Sequence, residues 1–261
     1  MRRFMLWPCL FICSALVPSG LLGQTPAAGS KPAPAAQSKS AGAKTGASLL
    51  HPESLKAKAP DVYEVKFATT KGDFVLQVTR AWAPLGADRF YNLVKYHYYD
   101  GATFFRVVPG FVVQFGLTGN PAVNKAWTDA NIKDDPVAQS NLPGTITFAM
   151  AGPNTRTTQV FINFGNNARL DASGFAPFGK VTEGMDVVNQ FYGGYGDATT
   201  NHQGEITNEG KAYLDKNFPK LDSIKSATVI SPAAAPSASG AKGTAPAAKS
   251  TPPAAGEKPK P

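Results

Sequence analysis

The residues best placed to do chemistry are Arg106 and Gln114, set among phenylalanines in the run F-F-R-V-V-P-G-F-V-V-Q-F-G at 104–116. Side chains alternate along extended chain, so on the first run Phe104, Arg106 and Val108 share one face, and on the second Val112 and Gln114 fall together. Phe104, Phe111 and Phe115 flank the charge, and a common face would be an apolar groove holding one fixed cation. The other reactive side chains offer less. Of three histidines, His51 lies in an N-terminal tail, and His97 and His202 lack metal-ligand spacing; no serine sits in a nucleophile elbow. Asp134-Asp135 reads as a solvated pair in a loop, not a metal site. G-G-Y-G-D at 193–197 lacks the flanking strand and helix of a phosphate cradle. Hydrolase, metal and cofactor chemistry are not expected.

The groove needs elements to hold it. Pro109-Gly110 marks a turn between two short strands, because proline fixes one dihedral and glycine frees the next. Upstream, Tyr63, Val65 and Phe67 alternate with Glu64 and Lys66, Lys71-Gly72 supplies a turn, and Phe74, Leu76 and Val78 alternate again, which predicts a hairpin of half-buried strands. Pro84 opens a helix with Ala87, Phe90, Tyr91 and Val94 at helical spacing, ended by Asp100-Gly101. Residues 117–143 read as a long polar loop pinned by Trp127 and Ile132. Strands follow at 145–150 and 159–164. In the second, Val160, Ile162 and Phe164 face the core, while Gln159, Phe161 and Asn163 face outward, as a peptide groove would or as a surface covered by a neighbouring loop would. A short second helix at 184–191 buries Val187, Val188 and Phe191, residues 192–220 read as a Gly-rich surface loop, and 227–230 as a last strand.

The run at 104–116 resembles the signature of the cyclophilin-type peptidyl-prolyl cis-trans isomerases, F-x-R-x-x-P-G-F-x-x-Q-x-G, matched at Phe104, Arg106, Pro109, Gly110, Phe111, Gln114 and Gly116. Phe105 stands where histidine is usual and Phe115 where a small residue is usual. A-M-A-G-P-N-T-R-T-T-Q-V-F at 149–161 resembles the family's second segment, and Leu170-Asp171 and F-G-K-V at 178–181 continue the likeness. It covers essentially all of 61–230 and implies a mainly β fold, a closed eight-stranded antiparallel barrel capped by two helices. It implies a catalytic set of Arg106, Gln114 and Phe111, with Gln114 positioning Arg106. The proline slot would be Phe111, Val112, Phe161 and Leu170 with Phe175 nearby, Gln159 would line the groove, and backbone groups at Ala149 and Met150 would hold the residue before the proline. It implies no metal and no cofactor. Arg169 replaces an aromatic, Phe175 a histidine or tyrosine, and Met150 an asparagine; the arginine tells against binding of cyclosporin, not against catalysis.

The implied reaction is rotation about an X-Pro bond, whose barrier is about 18–20 kcal/mol and whose natural timescale is tens of seconds or more. At the twisted state the proline nitrogen gains a lone pair, so a donor aimed at it binds that state better than either planar isomer. The resemblance gives this role to Arg106. Reaching milliseconds takes about four decades, or roughly 5.5 kcal/mol. One charged donor supplies roughly 3–4 kcal/mol of that, and orientation by the proline slot must supply the remainder. A non-catalytic proline-peptide-binding or chaperone module on the same fold stays open, with Arg169 and Phe175 as its hints.

Residues 1–23 carry Arg2 and Arg3, an apolar run and small Gly23, the order of a secretory signal peptide. Export to a periplasm or the exterior is expected, with membrane tethering if the leader stays attached. Cys9 and Cys13 both fall in this leader, so the processed chain would have no disulfide. Residues 24–60 and 231–261 are Ala-, Pro-, Ser-, Gly- and Lys-rich with hardly a large apolar residue, and are expected as disordered tails around one domain at 61–230. That domain holds 24 of the 27 aromatic residues. It carries 15 Lys and Arg against 16 Asp and Glu, so the formal charge of +8 belongs to the leader and tails. A nucleic-acid groove needs cations on the folded surface, so nucleic acid is not an expected partner. The expected partners are proline-containing polypeptides, with at most weak contact of the tails to anionic envelope polymers, and the chain is expected to be a monomer.

Overall fold

The computed structural model describes residues 48–231. The expected leader, the first part of the N-terminal tail and the C-terminal tail lie outside the described residues.

Strands β1 (Val62–Thr69) and β2 (Asp73–Thr79) form the expected hairpin, with Tyr63 opposite Val78 and Phe67 opposite Phe74. The inward set of Tyr63, Val65, Phe67, Phe74, Leu76 and Val78 is fully buried, which is why this alternation was legible. Six more strands follow: β3 (Arg106–Val108), β4 (Val112–Phe115), β5 (Thr145–Phe148), β6 (Val160–Asn163), β7 (Pro177–Glu183) and β8 (Ile224–Ser231). All pairings are antiparallel, in the order β3-β4-β6-β5-β7-β2-β1-β8.

The expected closed barrel is corrected to an open, curled sheet, because its end strands β3 and β8 share no ladder. They approach through the single bridge Thr103–Ser223 and the bonds from Phe104 N–H to the Asp222 carbonyl (3.0 Å) and from Ile224 N–H to the Ala102 carbonyl (2.8 Å). The chain ahead of β3 leaves regular extension because Phe104 and Phe105 are drawn into different cores. Phe104 stacks on Phe191 at 3.9 Å in the main core, whereas Phe105 joins Leu117, Ile206 and Leu214 in a second cluster.

Helix α1 (Pro84–Lys95) buries Ala87, Phe90, Leu93 and Val94 against the sheet. It stops at Lys95, short of the expected Asp100-Gly101, and His97 then turns the chain with φ of 60°. The expected second helix is the short α3 (Met185–Val188). Two expected loops prove to contain helices. In the first, Asn120 caps α2 (Pro121–Trp127) by accepting from Ala122 N–H at 3.0 Å. In the second, α4 (Gln203–Glu209) and α5 (Lys211–Asn217) occupy the stretch read as a surface loop. The folded unit also starts earlier than residue 61. Leu49 and Ala59 are buried, Trp127 Nε1 donates to the Leu49 carbonyl (2.8 Å), and Asn92 bonds both the N–H (3.1 Å) and the carbonyl (2.7 Å) of Ala57. These residues are held by backbone hydrogen bonding to side chains of the domain, which their apolar content does not reveal.

Candidate active site

The β3–β4 hairpin turns at Pro109-Gly110, with Gly110 at φ of 75°, and pairs Arg106 with Gln114; β4 in turn pairs Gln114 with Phe161 on β6. Three strands thus set a guanidinium, a carboxamide and an aromatic ring in one row. Gly116 lets β4 run close to the chain before β6, since a Cβ there would sit 2.5 Å from the Thr158 carbonyl oxygen. That approach brings Gln114 to Gln159. Arg106 Nη1 donates to Gln114 Oε1 (3.1 Å), Gln114 Nε2 donates to Gln159 Oε1 (2.8 Å), and Gln159 Nε2 donates to Gln203 Oε1 (3.0 Å). Each bond fixes the orientation of the next amide.

Arg106 borders a cavity of about 210 Å³. Phe161 and Phe175 meet edge-on in its wall at 5.7 Å, and Phe111, Val112 and Leu170 complete the apolar side. Ala149 and Met150 line it as well. Gln159 opens instead into an adjoining cavity of about 190 Å³ behind Gln114. The guanidinium carbon of Arg106 lies 5.4 Å from the Phe111 ring centre, and that of Arg169 lies 5.0 Å from it, so one ring receives two cations. Ala149 N–H already donates to the Gln159 carbonyl at 2.9 Å and is not available to a ligand.

Asn163, expected in the outward groove, is instead fully buried beneath it. Its Nδ2 donates to Thr145 Oγ1 (2.9 Å) and its Oδ1 accepts from Asn167 Nδ2 (2.8 Å), which also donates to the Phe111 carbonyl (2.9 Å). The 3-10 turn Ala168–Ser173 carrying Leu170 is tied down through Asp171, which accepts from Ser140 Oγ (2.5 Å) and Asn141 N–H (2.9 Å). Burial pushes the Asp171 carboxyl up, but the donors from Ser140 and Asn141 outweigh it and hold the group below its ordinary value.

Phe104 and Phe115, expected beside the charge, both lie in the main core. Asp134 and Asp135 are not a solvated pair. Asp135 is buried, accepts the N–H groups of Leu85 (2.9 Å) and Gly86 (2.8 Å) at the start of α1, and pairs with Arg156 (3.0 Å), while Asp134 lies 3.3 Å from the same guanidinium. The sequence reading missed Asp197, Thr200 and Gln203. Thr200 and Gln203 line the cavity, and Asp197 Oδ1 lies 2.6 Å from Arg106 Nε. Apolar or small residues at every fourth position, Ile206, Gly210, Leu214 and Phe218, were a visible sign of helix in this stretch; nothing in the sequence marks Asp197.

The family model for cyclophilin type peptidyl-prolyl cis-trans isomerase/CLD matches residues 64–210. A peptidyl-prolyl cis-trans isomerase of Acinetobacter baylyi is 37% identical over 132 residues, 48% of this chain and 70% of that protein. Peptidyl-prolyl cis-trans isomerase A of Dickeya dadantii is 36% identical over 131 residues, 48% of this chain and 69% of that protein. A crystal structure of a Cryptosporidium parvum cyclophilin type peptidyl-prolyl cis-trans isomerase aligns with a TM-score of 0.48 at 20% identity, over 65% of this chain and 98% of that one. With the family model spanning more than half of its length, the chain belongs to the cyclophilin-type peptidyl-prolyl cis-trans isomerase family.

Proposed function

We propose that this chain, a peptidyl-prolyl cis-trans isomerase by family, assists the folding of exported polypeptides by speeding rotation of their X-Pro bonds, with Arg106 as the catalytic donor. The observation that carries the reading is a guanidinium held by Gln114 at the edge of a cavity with an apolar wall of Phe111, Val112, Phe161, Leu170 and Phe175. Among the described residues, Arg106 bonds through Nε and Nη1, and Nη2 has no protein partner. A proline ring between Phe111, Val112, Phe161 and Leu170 would leave its nitrogen within reach of that group. The Ala149 carbonyl and the Met150 N–H would then hold the preceding residue, since Ala149 N–H is taken. No proton moves and no bond is made or broken: the twisted state is favoured because only there does the nitrogen offer a lone pair.

A protease-free isomerisation assay on an Ala-Pro peptide tests this. Arg106→Ala is expected to lose about 10²–10³-fold in kcat/KM, the loss that follows removal of one donor aimed at developing charge. Arg169→Ala, which removes the exposed second cation from Phe111, is expected to keep its activity. A fully active Arg106→Ala would refute the mechanism. Export rests on the order of charged, apolar and small residues at 1–23. Mass spectrometry of the exported protein is expected to find a new N-terminus near Gln24; recovery solely from the cytosol would refute export.

A further inference from the structure

We propose that Asp197 is a positioning residue for Arg106, carried to the site by the segment between α3 and α4, so that a stretch outside the sheet completes the isomerase site. This rests on the reading of Arg106 given above.

β3 ends the strand order, so among the described residues its outer edge has no strand beside it. The segment takes that edge. Gly196 bridges Val107 in antiparallel fashion, buried Thr199 donates its hydroxyl to the Phe105 carbonyl, and Asp197 reaches Arg106 Nε between them. The residues on both sides of Arg106 are therefore tied to the same few residues of chain. The segment has its own anchor, because Ile206 of α4 and Leu214 of α5 pack with Phe105 and Leu117. Phe105, the position where histidine is usual in the family signature, is thus the side chain onto which the extra helices dock.

A guanidinium is planar, and contacts at two of its nitrogens fix its plane where one leaves it free to swivel. Gln114 grips Nη1 at 3.1 Å and Asp197 grips Nε at 2.6 Å, which leaves Nη2. A carboxylate beside Arg106 also offsets part of its charge. The Asp197 side chain, however, is 61% exposed against 22% for Arg106, so water screens the offset more than it loosens the geometry.

The test uses the full chain with kcat and KM separated on an Ala-Pro peptide by NMR exchange. Asp197→Ala is expected to lower kcat about 5-fold with KM within about twofold, the scale of a well-formed exposed ion pair, and the isosteric Asp197→Asn, whose amide oxygen still accepts from Nε without the charge, to lower it less. Asp197→Glu is expected to recover most of the rate, and Asp215→Asn, which breaks an exposed pair with Lys211 on α5, to change nothing. Raising salt to about 1 M is expected to bring the parent rate down toward that of Asp197→Asn, whose own rate stays flat. Parent kcat in both neutral variants, an effect confined to KM, or a glutamate variant no better than alanine would overturn the proposal. An inactive Arg106→Ala beside a fully active Asp197→Ala would sink this inference alone; a fully active Arg106→Ala would sink the reading beneath it as well.

Discussion

A guanidinium at the mouth of a cavity can anchor an anion or favour a lone pair, and the neighbours of Arg106 decide between them. Phe111, Val112, Phe161, Leu170 and Phe175 present a neutral, apolar wall, and among the described residues no lysine lines the cavity. An anionic ligand would leave most of that wall unused, whereas an apolar ring such as that of proline would use it. Phe161 contributes both to the slot and to stability, since it is only 5% exposed. Phe161→Ala is expected to raise KM more than it lowers kcat, and to destabilise the domain by about 3 kcal/mol, the low end for a core phenylalanine because one face meets the cavity. Titration against an Ala-Pro peptide and thermal unfolding read the two effects. At this scale Arg106 and Gln114 were legible because their spacing places them opposite each other across a tight turn. Phe115 was misassigned although alternation puts it on the face opposite Gln114, and Phe104 because the chain there has left strand geometry.

The elements that complete the site are the least strand-like parts of the chain. The stretch containing α4 and α5 carries glycines and asparagines that suggest a loop, and its helices are stable only because Phe105 and Leu117 receive Ile206 and Leu214. Phe105 is 1% exposed, so Phe105→Ala should cost about 3–5 kcal/mol. Hydrogen exchange is expected to show this loss at 198–217 while β1 and β2 stay protected; uniform loss across the sheet would contradict a separate docking cluster. The turn carrying Leu170 depends on Asp171, whose carboxyl is held below its ordinary value. Stability from that group is therefore complete above its unfolded pKa of about 3.9 and disappears as pH falls through the lower folded value. Isomerase activity is expected to be flat from about pH 5 to 8 with respect to this group, and Asp171→Asn to weaken the acid-side fall in thermal stability.

Across the whole molecule, the near-neutral domain and a cavity whose charged lining residue, among the described residues, is Arg106 agree with a polypeptide ligand, and the basic excess lies in segments of simple composition. The aromatic content did not mark where the domain begins, because residues 48–60 hold on through Asn92, Trp127 and Asp88. A chain starting at residue 61 would leave the buried side chains of Asn92 and Trp127 without those partners, which should cost about 2–4 kcal/mol. Thermal unfolding of chains starting at 48 and at 61 checks this, and equal midpoints would contradict it. The central claim is that Arg106 acts on the twisted imide and not on the resting peptide. The most direct test measures peptide Kd and isomerisation rate together for Arg106→Ala. The account predicts a Kd within about threefold of the parent and a rate lower by about 10²–10³-fold. An unchanged rate, or a rate that falls only in step with lost binding, would contradict it.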